Sequence, residues 1–284
     1  MMRRWFWLLF FLLLQGCSAI KLGYNQLPTL GHWWLDSKVS FDSAQSAQAR
    51  EALQQLQRWH RSVELNAYVD WLVRLQSLAV RDVEPQQVCD VWSQVSEGMD
   101  RLMAQTIRLA TPIALQLQPR QLRHLARHWE EQNEEWEKEW LSGSPEERLR
   151  RRLDRTLSRY GDFYGSLNEQ QTELLRTQLQ KSVWHAEWGR RDRLRRQESL
   201  LKALQRLQQD GLTAQQAEAA LLVVWRQWLA PPQASDRQLY ASLTEQACRN
   251  LAELHNSTSP EQRQRAVRRL RAYERDLREL AAQP

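Results

Sequence analysis

Pro85-Gln86-Gln87-Val88-Cys89-Asp90-Val91-Trp92-Ser93-Gln94-Val95-Ser96-Glu97-Gly98-Met99-Asp100-Arg101-Leu102-Met103 carries apolar side chains at 88, 91, 92, 95, 99, 102 and 103. Steps of three and four residues align them along one side of an α-helix, and no two-residue alternation competes. Pro85 stands where a first helical residue belongs, because its missing N–H has no partner there in any case.

The same pattern extends in both directions. Leu149, Leu153, Thr156, Leu157, Tyr160 and Phe163 form another stripe, and Pro119, Pro145 and Pro260 mark further helix starts. Asn168-Glu169-Gln170-Gln171, Thr213-Ala214-Gln215-Gln216 and Ser259-Pro260-Glu261-Gln262 have capping-box spacing, in which the cap side chain and the glutamine three residues on each satisfy an end amide. The run Ala219-Ala220-Leu221-Leu222-Val223-Val224-Trp225 is apolar on every side, which predicts the centre of a bundle. Residues 168–209 predict one extended helix or two with a bend near Gly189. With nine glycines and nine prolines in 284 residues, the expectation is all-α. It is a bundle of antiparallel hairpins, about eight or nine helices, filling one domain over 42–284.

The chain opens differently. Arg3 and Arg4 precede an apolar run from Trp5 to Leu14, followed by Gln15-Gly16-Cys17. A charged start, a short apolar stretch and a small residue before a cysteine read as a secretory signal over 1–16. The run falls well short of the roughly 20 residues a membrane span needs. Leu-x-Gly-Cys resembles the bacterial lipobox, which implies that Cys17 is acylated and becomes the first residue of the mature protein. Ser18 after it implies sorting to the outer membrane. Residues 17–41 then read as a lipid anchor and tether ending near His32-Trp33-Trp34, aromatics suited either to the bilayer interface or to docking on the bundle.

Net charge is a mild +6. Arginines cluster at Arg148, Arg151 and Arg152 and again at Arg190, Arg191 and Arg195. These read as solvated helix faces or as a basic patch for anionic lipid head groups or another envelope polyanion. No nucleic-acid motif accompanies them, and export argues against such a partner. Cys89 and Cys248 are an even pair in an oxidising compartment and predict either a disulfide or two buried thiols.

Catalytic signatures are missing: no G-x-S-x-G, phosphate loop, H-E-x-x-H or C-x-x-C occurs. His124, His128 and Glu131 align on one helix side but lack the further ligands a zinc site needs, so neither metal nor cofactor is expected. Fourteen tryptophans are unusual. Trp129, Trp136 and Trp140 share a stripe with Leu122, Leu125 and Asn133, which reads as core with Asn133 needing a buried partner, or as an aromatic row for a ligand.

Several segments resemble an uncharacterised lipoprotein family of Gram-negative bacteria. They are Lys21-Leu22-Gly23-Tyr24-Asn25-Gln26-Leu27, Trp59-His60-Arg61 with Glu64-Leu65 and Tyr68, Gln87-Val88-Cys89, Glu139-Trp140-Leu141, Tyr160 to Gly165 with Leu167, and Leu254 to Arg263. The resemblance implies location and helical architecture and supplies no activity. Leu212-Thr213-Ala214-Gln215-Gln216 also resembles the Leu-Thr-x-x-Gln motif of small periplasmic stress chaperones. The expectation is a non-enzymatic, periplasm-facing lipoprotein that binds envelope proteins as a scaffold or accessory factor. A chaperone-like binder of unfolded envelope proteins and a cell-wall glycan enzyme are the alternatives.

Overall fold

The computed structural model describes residues 19–209 and 211–283; the signal segment 1–16 and Cys17 lie outside the described residues. Helices α1 (Ala19–Asn25), α2 (Leu27–Val39) and α3 (Ser43–Trp59) come first. A π-turn, His60–Glu64, then runs without a break into α4 (Leu65–Leu78). There follow α5 (Pro85–Ala114), α6 (Pro119–Trp140), α7 (Pro145–Tyr164) and α8 (Glu169–Gln180). The last four are α9 (Ala186–Gln209), α10 (Ala214–Leu229), α11 (Ala234–Asn256) and α12 (Pro260–Ala281).

The described residues form no strand, and the fold is an all-α bundle. Its helices exceed the expected eight or nine: there are eleven if α3 and α4 are counted as one. Residues 19–39, read as a tether, form two of the additional ones, and α2 packs on α3 and α6 with His32 buried against Ser46 Oγ at 2.8 Å. Residues 168–209 are two helices, but they separate at Lys181–His185 and Gly189 lies inside α9. The run 219–225 is also less enclosed than expected, since Leu221 and Val224 are buried while Val223 is 47% exposed.

Helix starts repeat one device. Asp42, Glu84, Gln118, Ser144, Asn168, Thr213 and Ser259 each cap a helix whose third residue is Gln or Glu, and every one closes a full capping box. Two pairs of these glutamines then meet across the bundle. Gln45 of α3 and Gln121 of α6 exchange side-chain hydrogen bonds of 3.2 and 2.6 Å, and Gln171 of α8 and Gln262 of α12 do so at 2.8 and 3.0 Å. Helix N-termini are thereby docked in pairs.

The α5 helix, at 30 residues about 45 Å long, is the spine, contacting α3, α10 and α11. Ile107, Leu122, Leu125, Leu204, Leu207 and Leu221 make its largest core with α6, α9 and α10. Leu153, Leu175 and Leu254 form a second core between α7, α8 and α11. Gly98 of α5 sits where a Cβ would fall 2.3 Å from Trp71 of α4, so the crossing requires glycine. Glu64 of the π-turn, buried, accepts from Arg101 Nε and Nη2 at 2.8 and 3.0 Å.

His255 joins three elements. Its Nε2 lies 2.9 Å from the Arg81 carbonyl and so carries the proton, leaving Nδ1 to accept from Tyr164 Oη at 3.0 Å. Burial pushes the imidazole down from its usual value and pushes the Tyr164 phenol up to about 12. An unfolded histidine titrates near 6.5, so as pH falls the unfolded chain takes up this proton first, and stability is lost from about pH 6.5 downward. The melting temperature is expected to drop between pH 7.5 and 5.5. His255→Gln should start lower and show a shallower slope, with part of the slope kept because burial also lowers His60. Parallel slopes for the two proteins would refute the assignment.

Candidate binding groove

The tryptophan stripe on α6 is only partly core. Leu122 and Leu125 are buried, but Trp129 and Trp136, about one and three turns beyond Leu125, are half-buried and face an open groove of about 770 Å³. Four more tryptophans turn toward the same space: Trp92 from α5, Trp184 from the α8–α9 link, Trp188 from α9 and Trp228 from α10. Helix α11 supplies the remaining wall with Tyr240, Leu243 and Cys248. Six indoles drawn from four helices and a link thus meet at one cavity.

Trp140 continues the aromatic row away from the groove, its ring centroid 6.0 Å from Trp136 and 5.3 Å, edge-on, from Trp184. Trp188 is fixed by Nε1–H donating to Asp236 at 3.1 Å and by an edge contact of 5.2 Å with Tyr240. Trp228 Nε1 donates to Ser199 Oγ at 3.0 Å. These bonds occupy the N–H groups and leave ring faces as the surface on offer.

Much of the polar side of the groove is paired internally. Asn133 finds the partner its position demands: it exchanges hydrogen bonds of 2.8 and 3.1 Å with Gln197 and accepts from Arg193 Nε at 2.6 Å. Asp192 accepts from Arg195 Nη2 at 2.6 Å and from Tyr240 Oη at 2.6 Å, while Arg196 Nε lies 2.7 Å from it as an ion pair without hydrogen-bond geometry. Burial and the bond to Asp192 push the Tyr240 phenol up. The lining of this groove is mostly aromatic and apolar, with Arg193 and Arg196 on its polar side.

Cys89 of α5 and Cys248 of α11 are disulfide-bonded, Cα to Cα 5.5 Å, beneath this wall. The six arginines of the predicted basic patch do not form one surface. Arg148, Arg151 and Arg152 of α7 line a second cavity of about 360 Å³, which also takes Trp140 and Trp184 as walls. Arg190 instead pairs with Glu137 at 2.6 Å, Arg191 is exposed, and Arg195 turns to Asp192 and the Gln227 carbonyl. His124 approaches the Ser37 carbonyl at 3.3 Å while His128 lies 3.9 Å from Glu131. Among the described residues no cluster of three His, Cys, Asp or Glu side chains is placed to hold a metal.

The model of a family of unknown function, DUF6279, matches residues 37–232, more than half of the chain. The chain belongs to the DUF6279 family. No curated protein and no solved structure matches it. The DUF6279 match spans all six groove tryptophans and stops before the α11 wall that carries Tyr240 and Cys248. Sequence reasoning had not singled out Trp184, Trp188, Asp192, Trp228 or Tyr240 as site residues of this DUF6279 protein. They lie on three helices and a link, and no short-range spacing connects them. Only a surplus of tryptophan over what a helical core of leucines needs signalled them in advance.

Proposed function

We propose that this DUF6279 protein is a periplasm-facing lipoprotein of the outer membrane that acts by binding, as a scaffold or accessory factor of the envelope, with the tryptophan groove as its binding site. The observation that carries the reading is six indoles around one open cavity. A cavity of that volume is the size of a small-ligand site, about 300 to 1,000 Å³. Anchoring through Cys17 rests on the sequence before it. It is supported by α2, where Leu27, Leu30, Trp33 and Trp34 are each at least half exposed, an apolar aromatic face close in the chain to Cys17. Among the described residues Asp192 is the carboxylate that lines the groove; Arg195 and Tyr240 donate to it and Arg196 is ion-paired with it. A glycosidase needs a second carboxylate facing the first, so no catalytic role is proposed.

A chaperone-like role is the second reading, favoured by the concave apolar surface beside an arginine-lined one. One experiment separates the two. A photo-crosslinking amino acid replaces Trp92, 56% exposed at the groove rim, in intact cells, and adducts are identified by mass spectrometry. A single recurring adduct is expected, lost in Trp136→Ala and reduced when Cys17→Ala is exported under a non-lipoprotein signal. A scatter of unfolded envelope proteins kept by both variants would favour the chaperone, and no adduct at all would overturn the groove.

A further inference from the structure

The smaller cavity is chemically unlike the groove beside it. Arg148, Arg151 and Arg152 stand at i, i+3 and i+4 on one side of α7, and each is partly buried. Arg148 spends one N–H on the Leu141 carbonyl at 3.1 Å, and Arg151 spends one on the Ser142 carbonyl while its Nε is buried without a partner. Arg152 has no carboxylate in ion-pair contact among the described residues. Its guanidinium lies over the Trp184 ring, 5.0 Å from the centroid, and burial draws its pKa down. The acidic groups that line the cavity do not neutralise these three: Glu139 is paired with Arg155, and Glu187 is exposed. A guanidinium carries five donors in a planar fork matched to phosphate or carboxylate oxygens, so several are left unspent around one enclosed space. Pro145 and Ala186, the first residues of α7 and α9, also line it, adding the partial positive charge of two helix N-termini.

Trp184 is a wall of both cavities. We propose that the two form one composite site for an anionic amphiphile, whose apolar chain lies against the groove tryptophans and whose phosphate is held by Arg148, Arg151 and Arg152. The inference rests on the groove reading above. The division of labour follows from what lines each part: the groove presents indole faces, and the smaller cavity presents three guanidinium groups with donors unspent. A phosphate monoester takes up guanidinium donors in pairs and supplies the counter-charge Arg152 lacks, with Trp184 covering the junction.

The test titrates the full folded protein, followed by its tryptophan fluorescence, with decyl phosphate, with decanol and with inorganic phosphate. Decyl phosphate is expected to bind about tenfold to a hundredfold more tightly than decanol, the range that charge-assisted hydrogen bonds supply. Arg152→Gln and Arg148→Gln should reduce that preference, and Arg152→Lys, which keeps the charge and loses the fork, should restore only part of it. Unchanged melting curves would show that the variants are folded. Equal binding of decyl phosphate and decanol, both lost in Trp136→Ala, would overturn the anion site and leave the groove standing. Phosphate alone binding as tightly as decyl phosphate would overturn the composite site. No binding of either decyl compound would overturn the groove reading and this inference with it.

Discussion

Replacing Cys89 and Cys248 together with alanine is expected to lower the free energy of unfolding by about 5 kcal/mol, the value the chain-entropy model gives for so long a closed loop. The bond spans 159 residues and ties the spine helix α5 to α11, which packs on it directly although five helices intervene in the chain. Cys248 is 3% exposed, and its neighbours Val88 and Leu251 line the groove floor, so the loss is local as well as global. At about 2–4 °C per kcal/mol for a domain of this size, the melting temperature should fall by about 10–20 °C. Thermal denaturation of the oxidised protein, the reduced protein and the double variant measures it. Reduction alone should reproduce most of the shift, because it opens the same loop and leaves the side chains in place. A double variant within about 1 kcal/mol of the parent would show that the bundle holds α5 and α11 together without the bond.

Gln121→Ala is the second large effect, expected at about 3–4 kcal/mol by summing a few buried groups left unpaired at about 1 kcal/mol or more each. Gln121 is 2% exposed and uses its amide fully. Its Oε1 accepts from the Gln118 amide at 2.8 Å and from Gln45, while its Nε2 donates to Gln45 and to the Ser40 carbonyl at 2.8 Å. Gln45 mirrors it, accepting from the Asp42 amide at 3.1 Å and donating to the Gln116 carbonyl at 2.8 Å. One truncation therefore uncaps α6, frees the Ser40 carbonyl and leaves the buried Gln45 amide half satisfied. Chemical denaturation of Gln121→Ala, Gln45→Ala and the pair forms a double-mutant cycle. The double variant should cost clearly less than the sum of the singles, since each single already breaks the shared bonds. Strict additivity would mean that the two amides do not act as a unit. Glu in place of Gln121 should be worse than Ala, because it removes both donors and places a carboxylate opposite the Gln45 oxygen.

The helices were legible because their causes are local. Proline at a first turn, a cap with glutamine or glutamate three residues on, and apolar steps of three and four are all satisfied within a few residues of chain. The number of helices was underestimated for a related reason. Residues 19–39 lack a strong stripe and become helical through docking, with His32 against Ser46 and α2 against α3 and α6. Residues 168–209 read by sequence as one extended helix or as two with a bend near Gly189, because glycine is the obvious interrupter. The chain instead turns at Lys181–His185, where Val183 N–H donates to Gln246 at 3.0 Å and Gln246 returns a bond to the Lys181 carbonyl at 2.9 Å. Those partners come from α11, far along the sequence.

The candidate site divides in the same way. Cys89 and Cys248 as a candidate pair, and the Arg148, Arg151 and Arg152 cluster, could be named in advance, because cysteine count and helical spacing are properties of the sequence. What Trp129 and Trp136 would do could not: a stripe of indoles looks alike whether it faces a core or a cavity. The sequence by itself determined an all-helical chain and the starts of most helices, and it left Cys89 and Cys248 open between a bond and two thiols. The tertiary structure alone decided that two capping glutamines would satisfy each other across the bundle. It also decided that six tryptophans from separate elements would surround one groove, with Trp184 dividing that groove from the arginines. The physical reason is that capping and amphipathicity are fixed within one or two turns, whereas hydrogen-bond satisfaction and cavity shape depend on groups that only packing brings together.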